Sequence, residues 1–190
     1  MFAAWGRIDV LVLNAVHTGP GSMTRVLDTP IEALETKLSA NAVAQVVLVQ
    51  AALPRMVDAG GGRVIAITSF AATHAPTAPV GEGGWGYAYA ASKAAFHRLA
   101  GHLAVEVSDR GIVAVNVDPG HVLTERMVAN AKRLGLAGRY HGAPPSAPAA
   151  AVAWLATAEE ARELNGQTVD GLRLVLDKGL HPDWRPAHGK

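Results

Sequence analysis

The sequence contains no cysteine among its 190 residues, so a disulfide framework and a thiolate metal site are both excluded. Neither sign of charge is in excess, because 17 basic residues are balanced by 16 acidic ones. Net charge therefore does not favour nucleic acid or an anionic membrane as a partner. No apolar run approaches the roughly 20 residues of a membrane span. Arg7 and Asp9 interrupt the N-terminal stretch too early for a secretory signal. We expect a soluble, cytoplasmic protein.

Metal-ligand motifs are a further absence. The chain has eight histidines, but no pair has an acidic partner at ligand spacing, and there is no His-Glu-x-x-His. His97 and His102 are five residues apart, so they should not face each other on a helix. We expect no metal site.

Apolar residues are abundant, at 49% of the total, and they come in short runs. Runs rich in valine, leucine and isoleucine indicate strands that are buried on both faces, as in the centre of a parallel sheet. These runs are 8–14, 63–69, 112–120 and, more weakly, 167–179. Helical patterns lie around and between them, at about 30–56, 87–110, 123–134 and 147–161.

The alternation of strands and helices predicts an α/β fold, a partial Rossmann-like, doubly wound parallel sheet of about four strands with helices on both faces. We expect a single domain over residues 1–178 and a polar, proline-broken tail over 179–190. Ligands bind such sheets at the carboxyl ends of the strands. Four loops should therefore converge at this edge, namely those that follow Leu13, Thr68, Val117 and Leu176.

The segment YAYAASKAAF, 87–96, places Tyr89 four residues before Lys93, on one face of a helix. A free phenol has a pKa of about 10, and a fixed ammonium nearby favours the phenolate. Ser69 ends the preceding strand, where its hydroxyl could reach the same point in space. The serine hydroxyl would orient a carbonyl, the tyrosine would pass a proton, and the lysine would adjust the pKa of the tyrosine.

Tyr87 competes for the same role, but it lies six residues before Lys93 and on another helix face. The gap between Ser69 and Tyr89 contains GEGGWG, 81–86, which we interpret as a small loop insertion that reshapes the rim of the pocket. We expect the walls of the pocket to come from 74–86 and from a lid over 121–146.

These motifs resemble the short-chain dehydrogenase/reductases. RVIAITS, YAYAASKAAF and VAVNVDPGHVLT follow one another in the family's order, and GRIDVLVLNAV resembles the family's fourth strand with its Asn-Ala-Gly motif. LSANAVAQVVLVQAALPRM resembles the helix that carries the family's active-site asparagine. The resemblance covers essentially the whole chain. It implies a nicotinamide cofactor, NAD or NADP, and a small-molecule alcohol or carbonyl substrate.

By that resemblance, Asn41 would hold a water in a proton relay, and Ser69 would polarise the substrate carbonyl. Tyr89 would be the general acid/base, and Lys93 would lower its pKa and bind the nicotinamide ribose. Val16 stands where the family motif has glycine, and its side chain would crowd the ribose. The implied cofactor-binding residues are Asn14, Ala15, Tyr89, Lys93, Pro119, Gly120, Val122 and Thr124.

Three polar residues near the site also have structural interpretations. Asn14 and Asn116 could serve as hydrogen-bonding residues that support the strand ends. Asp118 precedes a proline, which favours the start of a turn over a chemical role.

The resemblance also implies a segment that this sequence does not show. The family begins with a strand and a glycine-rich turn that cradles the pyrophosphate, followed by the residue that selects NAD or NADP. The glycines at 18–22 and 60–62 instead have the context of a loop and a helix terminator. A mis-assigned start, a decayed gene and a half supplied by a partner would each explain such a truncation. We expect an exposed apolar sheet edge at 8–13, and weak or no turnover from these 190 residues alone.

Two functions follow from these features. One is a hydride-transferring oxidoreductase with a Tyr-Lys-Ser acid–base set. The other is a non-catalytic remnant that acts as an oligomerisation or interaction module. The interaction surface of this module would be formed by the two long helices, about 30–56 and 87–110, through which the family commonly forms homo-oligomers. Binding of a nicotinamide cofactor would separate the two.

Overall fold

The computed structural model of the chain describes residues 6–133 and 141–186. In this part of the chain four strands form one parallel sheet, in the order in which they follow one another along the sequence. The strands are β1 (Val10–Leu13), β2 (Gly62–Ile67), β3 (Ile112–Asp118) and β4 (Thr168–Asp170). The predicted α/β fold is confirmed.

The α-helices in the same part of the chain are α1 (Ile31–Leu38), α2 (Ala44–Asp58), α3 (Tyr87–Glu106), α4 (Glu125–Arg133), α5 (Ser146–Thr157) and α6 (Gly171–Lys178). A π-helical turn (Ser39–Val43) joins α1 to α2 without a break. Short 3-10 helices are found at Val26–Asp28, Phe70–Ala72, Ser108–Arg110 and Glu159–Leu164. The predicted lid and the predicted tail extend into 134–140 and 187–190, which lie outside the described residues.

The sheet separates two hydrophobic cores, because successive residues of a strand point to opposite faces. In β2, Val64 and Ala66 pack on the side of α2 and α3, whereas Ile65 packs on the side of α5. β3 repeats the alternation with Ala114 on the first side and Val115 on the second. Helices therefore cover both faces of the sheet, as the sequence predicts.

The predicted fourth strand, 167–179, is wrong over most of its length. Only Thr168–Asp170 is extended, and the rest is helix α6. Asp170 caps this helix by accepting a hydrogen bond from Arg173 N at 2.9 Å, and Gly179 ends it in the left-handed region at φ 64°. The expected site loop after Leu176 therefore does not exist, and β4 reaches the carboxyl edge at Asp170.

β1 lies at an edge of the sheet and pairs with β2 alone among the described strands. Val12 on this strand is 42% exposed. Within the described residues, β1 thus has an exposed apolar side chain on a strand that is paired on one side.

The helical run Ile31–Asp58 corrects the expectation that no apolar stretch is as long as a membrane span. By length and composition alone it is long and apolar enough to cross a membrane, with a mean hydropathy of 1.3 in its most apolar window. Buried helices of globular proteins satisfy the same criterion. Here the run packs against the sheet, and Val49 and Met56 enter the core beside α3.

Candidate active site

A cavity of about 540 Å³ opens at the carboxyl edge of the sheet, between the ends of β1, β2 and β3. Its polar lining residues are Asn14, Thr18, Thr68, Tyr89, Lys93 and Thr124. Its apolar wall comes from strand ends, such as Ile67 and Val117, and from the first two turns of α5, which contribute Pro148 and Val152. The cavity thus combines an apolar lining with a few convergent polar groups, as ligand sites commonly do.

Tyr89 lies in the first turn of α3 and lines this cavity, whereas Tyr87 is 51% exposed on another face of the helix. Burial raises the pKa of the Tyr89 phenol, a side-chain hydrogen bond with Ser69 opposes that rise, and the negative charge of Asp118 adds to it. The net direction is opposite to the one predicted from the neighbouring ammonium. Desolvation of the phenolate outweighs the favourable interactions around it.

Lys93 lies one helical turn after Tyr89 and is buried. Its Nζ donates a hydrogen bond to Ile67 O at 2.8 Å and lies 5.5 Å from the centre of the Phe96 ring. Burial lowers the pKa of Lys93 to about 8, while the carboxylate of Asp118 acts in the opposite direction. An ammonium has three N–H donors, so two remain for a ligand in the cavity.

Ser69 follows β2 and begins the short helix Phe70–Ala72. Its Oγ accepts a hydrogen bond from Ala71 N at 3.2 Å, which caps the helix, and the same side chain acts on the Tyr89 phenol, where it lowers the pKa. The capping role and the contact with the phenol therefore coexist. The structure brings Ser69, Tyr89 and Lys93 to one end of the sheet.

Asn41 lies in the π-helical turn and is buried. Its Oδ1 accepts a hydrogen bond from His17 N at 2.6 Å. Its Nδ2 donates to Ser92 Oγ at 3.0 Å and to His17 O at 3.4 Å. Since Ser92 is part of the first turns of α3, Asn41 links the helix that bears Tyr89 to the segment after β1. π-Helical turns occur frequently at functional sites.

Most of the predicted cofactor residues line the cavity: Asn14, Tyr89, Lys93, Pro119, Val122 and Thr124. Val16 lines it too, where the sequence predicts crowding. Ala15 and Gly120 do not line it within the described residues. Gly120 is in the left-handed region at φ 67°, and its N–H bonds to Asp118 Oδ1 at 3.1 Å. This bond confirms the predicted turn at Asp118.

Two other sequence expectations near the site have clear outcomes. Asn116 donates to His97 O at 2.8 Å, in line with the structural interpretation. No described residue of 74–86 lines the cavity, so the prediction that this loop forms a wall of the pocket is wrong for this cavity. The lid region does contribute, through Val122, Thr124 and Pro145.

Sequence reasoning missed two buried polar residues, Lys37 and Gln45. Lys37 Nζ donates to Ser22 Oγ at 2.7 Å, and Gln45 Nε2 donates to Ala15 O at 3.3 Å. They lie four residues before and four residues after Asn41. The same i, i+4 spacing that marked Tyr89 and Lys93 could have found them.

Comparison with known protein families matches residues 1–134 to the family described as short chain dehydrogenase. The chain is 34% identical over 175 residues to the 3-oxoacyl-(acyl-carrier-protein) reductase FabG of Escherichia coli, a match over 88% of this chain and 66% of that protein. It is 34% identical over 122 residues to an L-rhamnose 1-dehydrogenase (NAD(P)(+)) of Sphingomonas, over 64% of this chain and 44% of that protein. The chain thus spans 44% to 66% of the length of these two curated relatives.

Solved structures show the same likeness. L-sorbose reductase from Gluconobacter frateurii, complexed with NADPH and L-sorbose, gives a TM-score of 0.75 at 25% identity, over 90% of this chain and 68% of that chain. Acetoin dehydrogenase from Enterobacter cloacae gives a TM-score of 0.71 at 28% identity, over 97% and 70%. Each of the four proteins is named as a reductase or a dehydrogenase, so the matches do not favour a non-catalytic interaction module.

Proposed function

Because this chain belongs to the short-chain dehydrogenase/reductase family, we propose that it is an NAD(P)-dependent oxidoreductase that interconverts an alcohol and a ketone. One observation carries the proposal. Tyr89 and the buried Lys93 line one cavity at the carboxyl edge of the sheet, and the Ser69 side chain interacts with the Tyr89 phenol.

The residues around the cavity fit a nicotinamide cofactor. Lys93 has two N–H donors that could bind ribose hydroxyls, and the hydroxyl of Thr124 and the amide of Asn14 line the same space. Pro119 and Val122 offer an apolar surface for a flat ring. When bound, the reduced nicotinamide supplies the hydride that is added to the carbonyl carbon of the substrate. NAD and NADP both fit this part of the site.

The protein groups would supply the proton. Negative charge would develop on the carbonyl oxygen during reduction, and the Tyr89 hydroxyl can donate a hydrogen bond to it. The Ser69 hydroxyl can do the same once its hydrogen bond to the phenol is released. Tyr89 then gives its proton to that oxygen. Burial raises the pKa of Tyr89, so the phenol is protonated at neutral pH. This is the form that carbonyl reduction requires.

The test is a fluorescence titration of this chain with NADH and with NADPH, followed by reduction assays on a panel of small ketones. We expect Lys93→Met to weaken nucleotide binding. We expect Tyr89→Phe to abolish the weak reduction that the wild-type chain shows, because the phenol proton is lost. Tyr87→Phe is the matched control and should change neither. The proposal fails if neither nucleotide binds, or if Tyr89→Phe reduces ketones as fast as Tyr87→Phe.

We also infer that the chain forms a homo-oligomer through α2 and α3. Val47 on α2 is 57% exposed, and Val43, one turn earlier, is exposed on the same side of the run. Val105 on α3 is exposed as well. Sedimentation of the wild type against Val47→Glu tests this inference. An unchanged sedimentation coefficient would overturn it.

A further inference from the structure

Three buried polar side chains follow one another at four-residue intervals along the helical run Ile31–Asp58. Lys37, Asn41 and Gln45 are 0%, 2% and 3% exposed. Residues four apart on an α-helix drift around its axis, and the wider π-helical turn Ser39–Val43 reduces this drift. All three side chains therefore face the same neighbour, the segment 15–22 that follows β1.

Lys37 makes the largest number of contacts with this segment. Its Nζ donates to Ser22 Oγ at 2.7 Å, to Gly19 O at 3.1 Å and to His17 O at 3.4 Å. These bonds use all three N–H donors of the ammonium. No ion pair joins Lys37 to a carboxylate in the described part of the chain. The backbone and one hydroxyl of the segment 15–22 thus compensate its burial.

The segment that Lys37 holds is connected to both sides of the candidate active site. His17 N donates to Asn41 Oδ1 at 2.6 Å. Gly86, the residue immediately before α3, donates its N–H to Ser22 O at 3.0 Å. A displacement of segment 15–22 would therefore disturb the amide of Asn41 and the start of the helix that carries Tyr89.

The lid helix contacts the same segment. Arg126 on α4 donates to Thr18 O at 3.1 Å and also to Thr18 Oγ1. Thr18 lines the cavity. Two cations therefore bind neighbouring oxygens of one short segment, Lys37 from the helical run and Arg126 from the lid.

We propose that Lys37 is a positioning residue of the candidate active site: its ammonium fixes segment 15–22, and through it the Asn41 amide and the start of α3. The part of this inference that concerns catalysis rests on the proposed function, whereas the part that concerns positioning does not. Lys37 does not line the cavity in the described residues, so its effect passes through the segment that it binds.

The electrostatic environment agrees with this role. Burial lowers the pKa of Lys37, and the positive charge of Arg126 lowers it further. Burying an ammonium without a carboxylate partner is costly, and the protein retains it here with three oxygen acceptors. A methionine would fill a similar volume without that cost. Stability alone therefore does not account for a lysine at this position.

The experiment compares Lys37→Met, which removes the ammonium, with Lys37→Arg, which keeps a cationic donor, and with Lys178→Met, which removes an exposed lysine. Amide hydrogen exchange is followed at His17 and Gly86, with Thr68 as the reference because its N–H bonds to Val117 O inside the sheet at 2.8 Å. We expect Lys37→Met to accelerate exchange at His17 and Gly86 by about tenfold relative to Thr68. Lys178→Met should leave all three unchanged.

The side-chain amide resonance of Asn41, identified by its disappearance in Asn41→Ala, is the second measurement. It should shift in Lys37→Met, return towards the wild-type position in Lys37→Arg and stay in place in Lys178→Met. If Lys37→Met does not fold, Ser22→Ala, which removes only the nearest acceptor of Lys37, should produce smaller changes in the same direction.

The outcomes separate the two proposals. An unmoved Asn41 resonance with unchanged exchange at His17 and Gly86 would overturn the positioning role. Acceleration that is equal at Thr68 would do so as well, because it would show a general loss of stability. Neither measurement requires turnover, so both remain decisive if the chain reduces no ketone. Where turnover is measurable, Lys37→Met should lower kcat and leave the KM for the nucleotide unchanged.

Discussion

The region around Lys37 and the region around Lys93 present the same chemical group in two different uses. Each lysine is buried on a helix, four residues from a polar residue of the candidate site, Asn41 in one case and Tyr89 in the other. Burial lowers the pKa of both ammonium groups. By burial and by spacing alone the two lysines cannot be told apart.

The hydrogen bonds distinguish them. Lys37 directs its donors to three oxygens of segment 15–22 and lies away from the cavity. Lys93 makes one hydrogen bond to the protein within the described residues, to Ile67 O, and its side chain lines the cavity. A lysine whose donors are all used within the fold positions its neighbours, whereas one with donors to spare can bind a ligand.

Their charged neighbours differ in sign as well. Arg126 further disfavours the charged form of Lys37, while Asp118 favours that of Lys93. A cofactor with ribose hydroxyls would add oxygen acceptors beside Lys93 only. Under the proposed function, the charge of Lys93 therefore serves to bind a ligand, whereas that of Lys37 does not.

The largest expected effect is on turnover. Lys93→Met should lower kcat/KM by about a hundredfold or more, the size typical for the loss of acid–base support, and should weaken nucleotide binding. Lys37→Met should cost about tenfold, and only in kcat. Steady-state kinetics of the two variants side by side measures the difference. Equal losses with the same split between kcat and KM would contradict the distinction between a positioning lysine and a ligand-binding lysine.

The next effect is on the pH dependence of stability. Lys93 titrates at about 8 when folded, against about 10.5 when unfolded, so the folded protein binds fewer protons in that window. The free energy of unfolding should therefore rise with pH, by about 2 kcal/mol between about pH 7.5 and about pH 9.5. Lys93→Met should lose this rise. Denaturant unfolding at several pH values measures it.

Tyr89 limits the pH range over which the free energy of unfolding can rise. Its pKa is raised on folding, so its contribution is present at lower pH and is lost as pH rises above about 10. Lys37 contributes with the same sign as Lys93, so Lys37→Met should also flatten the curve. A curve that falls between about pH 7.5 and about pH 9.5 would contradict the lowered pKa of both lysines.

The sequence was informative where the signal is local. The strands around Val64 and Val115 appear as apolar runs because both faces of each strand are covered. The spacing of Tyr89 and Lys93 is likewise local, and the structure places both at one cavity. The apolar run LRLVL, in contrast, fits a strand or a helix equally well. It forms a helix because Asp170 caps its N-terminus and Gly179 ends it.

The sequence was uninformative where the contacts are long-range. Lys37 stands at the correct spacing from Asn41, but its partners His17 and Ser22 lie on a distant loop that the helical pattern does not reveal. The direction of the Tyr89 pKa shift depends on how deeply the phenol is buried, which is a property of the packed fold. Spacing therefore identified the residues but not their electrostatic environment.

Gly86 connects the region around Lys37 to the region around Lys93, because its N–H, at the start of α3, bonds to Ser22 O. A smaller effect, on the free energy of unfolding, tests this connection. A Cβ at Gly86 would lie 2.7 Å from Ser22 O, so Gly86→Ala must displace segment 15–22 or the start of α3. We expect a loss of about 1.5 kcal/mol in the free energy of unfolding. Gly101→Ala, with no atom within 4 Å of its Cβ in the interior of α3, should instead gain about 1 kcal/mol. Thermal or denaturant unfolding measures both, and a neutral Gly86→Ala would show that the two regions are not rigidly joined.

The smallest effect concerns Gln45, the weakest member of the polar series on the helical run. Its Nε2 bond to Ala15 O is long, at 3.3 Å, and its buried Oε1 has no hydrogen-bond partner among the described residues. Gln45→Met removes one weak bond but also relieves an unsatisfied acceptor, so the two changes oppose each other. We expect the free energy of unfolding to change by less than about 1 kcal/mol, with no movement of the Asn41 resonance. A shift as large as that in Lys37→Met would show that the three side chains position segment 15–22 as one unit, and that Lys37 has no special part in it.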